Sequence, residues 1–202
     1  MKKVIKISRI TAIVAIAMMF FSGCQKDKGE PLVSGGFNGL VTAAVESGGA
    51  TTVYAVIGAY ISEGQVRGTE CGNVAYSNGG FTINLPAIPN QHLMDIDKLF
   101  QDVFKVSGTL KFTETKAQAI DVDFLGFDSK DYLKGYYLHA TNDKSTICFF
   151  VYVDKDVDVT GGTNIAVSLK KGWNRIYYSE SGKGKITTKA PSDMKWHFQL
   201  PQ

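Results

Sequence analysis

The sequence predicts an all-β protein: an antiparallel β-sandwich of about nine or ten strands with one short helix, behind a signal segment and a flexible tether. Three observations predict it. Four runs alternate apolar with polar residues, two further runs are apolar on both faces, and glycine-rich or Asn/Asp punctuation separates them.

Residues 1–23 have the parts of an export signal in order. Lys2, Lys3, Lys6 and Arg9 form a basic start, Ile10 to Phe21 an uncharged apolar run, and Ser22 and Gly23 a small-residue close. An apolar run of about 12 residues is too short to span a hydrocarbon core as a helix, which needs about 20. Residues 24–36 follow as a tether. Gln25 to Glu30 holds no apolar residue, and Pro31 and Ser34-Gly35-Gly36 are turn chemistry.

From residue 37 to 202 the period is two. Phe81, Ile83 and Leu85 alternate with Thr82 and Asn84; Ile120, Val122 and Phe124 with Asp121 and Asp123. Ile165, Val167 and Leu169 form a third run, and Met194, Trp196, Phe198 and Leu200 a fourth. Val53 to Ile61 and Ile147 to Val153 are apolar on both faces, as in strands covered on each side. Ser47-Gly48-Gly49, Ser77 to Gly80, Thr141 to Lys144, Gly161-Gly162 and Ser181 to Gly184 supply the turns. The helix is predicted over Gln91 to Phe104, where Leu93, Ile96, Leu99 or Phe100, and Val103 recur at three-to-four spacing, with Asn90 as N-cap and Gly108 as stop. One domain is expected, with a point of subdivision near 87–106, because a first part of about 50 residues would bury little apolar surface alone.

Charge excludes a nucleic-acid footprint. The whole chain carries +3, but four of its 22 basic residues lie in the leader, so residues 24–202 carry 18 against 19 acids. With Cys24 set aside, Cys71 and Cys148 remain, and the sequence leaves open whether they are bridged. There is no CxxC pair, HExxH or Gly-x-Ser-x-Gly elbow, and His92, His139 and His197 are scattered. No cofactor or metal is expected, and the chain is not expected to be an enzyme. Asp154-x-Asp156-x-Asp158 mimics the start of a calcium loop, but Val159 stands where that loop needs Gly and Ile165 where it needs Glu. Asp121 with Asp123, and Asp95 with Asp97, read as acids on solvated faces.

The aromatic residues allow two readings. Trp173 and Trp196 read as core. Alternatively, Trp173 with the pairs Tyr177-Tyr178 and Tyr136-Tyr137 would form a platform that contacts a ligand, since such rings offer an apolar face with a polar edge suited to sugars.

Phe21-Ser22-Gly23-Cys24 resembles a bacterial lipoprotein cleavage site. The resemblance implies that the chain is cut before Cys24, that Cys24 carries thioether-linked diacylglycerol, and that its amino group is acylated. One acyl chain holds only marginally, whereas two or three anchor stably. Gln25 in the second position favours the outer membrane, with its periplasmic or surface face left open. A second resemblance covers the last 55 residues or so. Val151-Tyr152-Val153-Asp154, Lys171-Gly172-Trp173-Asn174 and Lys195-Trp196-His197-Phe198, in that order, are similar to the tail of small all-β lipoproteins of Bacteroidota. It brings no catalytic residues. The function expected is a non-catalytic binding or accessory module for a glycan, peptide or envelope protein; the alternatives are a structural or adhesin-like component, or a hydrolase.

Overall fold

The computed structural model describes residues 32–45, 50–62, 65–127, 135–142, 145–161, 164–179 and 184–199, with the backbone alone at 60–62, 65–67, 135–137 and 199. Cys24 and the signal segment lie outside the described residues. Residues 32–202 form one unit by internal contacts.

The chain is all-β, as its alternation predicts. Short β1 (Gly36–Phe37) and β2 (Leu40–Ala44) lead to a long hairpin, β3 (Thr52–Ser62) and β4 (Gln65–Ala75), and then β5 (Gly80–Asn84). After β6 (Met94–Asp95) and α1 (Ile96–Asp102) come β7 (Lys111–Phe112) and β8 (Gln118–Phe127). The rest is β9 (Gly135–Asn142), β10 (Thr146–Val153), β11 (Val157–Gly161), β12 (Ile165–Leu169), β13 (Gly172–Ser179), β14 (Lys185–Thr187) and β15 (Lys195–Gln199). Each apolar run named from the sequence has its centre in a strand, with Leu85 and Met194 just outside β5 and β15 and Leu200 outside the described residues, and the short strands raise the number above nine or ten.

Thirteen strands join one branched sheet, in the order β4-β3-β8-β9-β10-β13-β14-β12-β11-β7, with β1 on β13, β15 on β9 and β6 on β8. β2 and β5 form a separate pair. The branch lies on β8. Its residues 124–127 pair with β9, its residues 119–122 with β10, and β9 and β10 pair with each other at 140–142 and 146–148. The β9–β10 hairpin therefore leaves β8 after Leu138 and rejoins it at Phe150.

β10 and β13 are covered on both faces, and period two sends alternate side chains to two cores. Cys148, Phe150, Trp173 and Tyr177 join a first cluster with Ile120, Val122 and Phe124, over which β2 and β5 lay Val41, Ala43, Phe81 and Ile83. Val151, Val153 and Ile176 join a second, with Val157, Val159, Val167 and Leu169 of β11 and β12 and with α1. Trp196 stacks on Phe150, ring centroids 5.7 Å apart, and meets Phe124 and Phe81 edge-on. Gly126 makes room for the aromatic end of β15, since a Cβ there would lie 2.4 Å from Phe198.

Two sequence expectations are corrected. The tether ends earlier than residue 36: Ser34 bridges to Ser168, Gly35 N–H donates to Ser168 O at 2.9 Å, and β1 pairs with β13. The helix is shorter than 91–104. Asn90–His92 is a 3₁₀ turn and Met94–Asp95 pairs with Ala119–Gln118, so α1 starts after Asp95, where Ile96 N–H donates to Ala117 O at 3.1 Å. Its end comes before Gly108, at the cap residue Val103, with Lys105 turning left-handed at φ 52°. The Lys-Gly-Trp-Asn turn is held by Asn174, fully buried: its amide donates to Lys170 O and Gly172 O and accepts from Lys170 N–H. No helix among the described residues is long and apolar enough to cross a membrane.

Candidate functional site

The apolar face of α1 (Ile96, Leu99 and Phe100) seats the helix on the second core, which fixes where the chain emerges from it. From Phe104 it runs to β7 over the ends of the β11–β12 and β13–β14 pairs. Val106 N–H donates back to Phe100 O at 3.1 Å, and Lys105 takes a left-handed backbone that costs a non-glycine residue about 1 kcal/mol or more. The loop comes close because residue 161 is glycine. A Cβ there would stand 2.5 Å from Leu110 Cδ2 and 3.3 Å from Thr109 O.

Between this loop and the strand ends lies a cleft of about 540 Å³. Phe104 and Ile165, both buried in the second core, contribute apolar lining. Ser107, Thr109 and Asn164 add hydroxyl and amide groups, and Lys105 adds a cation. Tyr178 completes the lining. Its backbone pairs with Ile147 and Ile186, and its ring meets Phe149 edge-on at 6.5 Å, which leaves it half-buried. The described lining can hold a ligand by stacking and hydrogen bonds; it offers no histidine, carboxylate or thiol for proton transfer.

The five aromatic residues nominated from the sequence are not one platform. Trp173 and Tyr177 point to the opposite face from Tyr178 and are core, 5% and 7% exposed. Trp173 Nε1 donates to Pro86 O at 2.9 Å, so its polar edge is consumed inside the protein. Register places Tyr136 opposite Gly126 and Tyr137 opposite Leu125, and the side chains of both lie outside the described residues. Of the nominated rings with described side chains, the cleft receives Tyr178 alone. Sequence reasoning missed Lys105, Ser107, Thr109 and Asn164. The polar run around Gly108 was a signal, but it read as a helix stop.

The remaining candidates have structural work. Asp154 accepts from Gln118 N–H at 2.8 Å, Asp156 from Lys171 N–H and Lys170 Nζ at 2.8 Å each, and Asp158 N–H is bound by Thr113 Oγ1. Lys170 accordingly holds the Asp156 carboxyl below its usual range. Among the described residues no group of three or more His, Cys, Asp or Glu could hold a metal ion. Cys71 and Cys148 are free thiols. Burial pushes their pKa values up to about 11 and about 12, so neither is a thiolate nucleophile at neutral pH. Asp121 and Asp123 are half-buried, contrary to the solvated face read from the sequence, because β3 and the β9–β10 pair flank β8 on both edges.

No family model, curated protein or solved structure matches this chain.

Proposed function

We propose that the chain is a lipid-anchored protein of the cell envelope that binds a glycan in the cleft beside Tyr178 and does not transform it. The observation that carries the reading is the lining: the half-buried Tyr178 ring among hydroxyl, amide and ammonium groups over an apolar floor that includes Phe104. Sugars present apolar C–H faces and a rim of hydroxyls, and this lining complements both. Cys24 supplies the anchor, and the outer membrane is the favoured site.

An assembly role through strand addition has less support. β4 ends the sheet order, but its pairing with β3 carries register shifts, and the exposed Glu70 places a charge on it. Bulges and edge charges are devices against pairing with further chains.

Two measurements test the proposal. On an array of envelope and dietary polysaccharides, the protein should retain at least one glycan, and Tyr178→Ala should weaken that binding up to about tenfold while leaving the circular dichroism spectrum unchanged. Retention of no glycan, or equal retention by both forms, would remove the cleft reading. Separately, fatty-acid labelling in the host should be lost in Cys24→Ala; labelling that survives would remove the anchor.

A further inference from the structure

A second cavity, of about 210 Å³, opens on the other face of β13. Register builds its floor. Tyr177 lies opposite Cys148 and Arg175 opposite Phe150; beyond Cys148 comes Ala140 of β9, and beyond Ala140 comes Trp196 of β15. Two small side chains thus stand in one row between two large ones, and the row cannot close to full packing density. Val41 and Met194 also line the space, and Thr42, on the exposed face of β2, lies at its rim.

Arg175 gives this space a charge. Its guanidinium carbon sits 4.4 Å from the Phe37 ring centroid and 6.0 Å from that of Phe150, and among the described residues no carboxylate lies within ion-pair distance of it. Guanidinium is always charged and donates only. The Tyr177 hydroxyl and the Cys148 thiol beside it are held protonated by burial, each pushed up to about 12, so at neutral pH they are neutral. One cation beside neutral groups and apolar walls suits an anion.

We propose that this cavity binds a small carboxylic acid with an apolar, ring-sized body, its carboxylate on Arg175 and its body against Met194 and Trp196. Planar guanidinium and carboxylate match in a two-pronged pair. The size fits: an apolar cavity of about 150 Å³ accepts benzene, so this one takes a ring with its carboxylate. A phosphate monoester would carry a second charge into apolar walls with no cation to meet it. The site is separate from the cleft beside Tyr178 and does not depend on how that cleft is used.

Benzoate and its neutral isostere benzamide, titrated into the full chain, test the proposal by tryptophan fluorescence and by calorimetry. Benzoate should bind with Kd of about 1 mM or tighter, and benzamide at least about tenfold more weakly. Arg175→Gln should weaken benzoate roughly ten- to a hundredfold. Ala140→Leu, which fills the space and leaves Arg175 in place, should abolish binding of both. Absence of benzoate binding, equal binding of benzoate and benzamide, or unchanged affinity in Arg175→Gln would overturn the assignment. The isostere comparison uses the unaltered protein, so it decides even where a variant fails to fold.

Discussion

Asp123 stands on the face of β8 opposite Val122 and Phe124, next to Asp121 on the same face and beside the point where the β9–β10 hairpin leaves the strand. Burial, with Asp121 adding repulsion, raises its pKa from 3.8 to about 7, and burial raises Asp121 as well. The two carboxyls titrate as a coupled pair. A carboxyl whose folded pKa exceeds its unfolded value binds its proton more tightly in the folded state. Its contribution therefore favours folding below the unfolded pKa, near 4, and is lost as pH rises through the folded value, near 7. Asp123→Asn removes that loss. Its unfolding free energy in urea titration should match the parent at pH 4 and exceed it at pH 7.5, by about 1–3 kcal/mol, with the gap opening between those values. A gap independent of pH would show that Asp123 is not the titrating group.

Elements were legible where burial follows the local period and illegible where a distant strand decides. Phe81 and Ile83, Ile120 to Phe124, and Ile165 to Leu169 all bury the residues their alternation selects. The doubly apolar run from Ile147 to Val153 is a strand between two cores. The helix was misjudged because Met94 and Asp95 fit a helical spacing yet pair with Ala119 and Gln118, far along the chain. For Tyr177 and Tyr178 the sequence showed that the two rings face opposite ways; only the layers laid over each face decide that Tyr177 is core and Tyr178 borders a cleft. The cleft itself arises where the loop after α1 meets Gly161 and Gly184, and no window along the chain contains that meeting. Arg175 hid for the same reason: a lone arginine in a strand becomes notable only when Phe37 and Phe150 are seen to flank it.

At the scale of the whole unit, two cores raise the question of whether they unfold together. They are not separable layers, because β10 and β13 each send alternate side chains into both, and every ladder bond between them serves both at once. Loss of β10 from the sheet would expose Phe150 and Val151 in one step. The cores should therefore melt as a single cooperative transition. The tryptophans make this measurable, since Trp173 and Trp196 both belong to or pack on the first core, while Leu99 of α1, fully buried, belongs to the second. Leu99→Ala leaves a cavity in the second core, to which neither indole belongs, and should cost about 2–5 kcal/mol. Cooperativity requires the urea midpoint read by tryptophan fluorescence to fall by the same amount as the midpoint read by far-ultraviolet circular dichroism. A fluorescence midpoint that stays in place while the dichroism midpoint falls would mean that the second core unfolds alone, and that the shared strands do not couple the two.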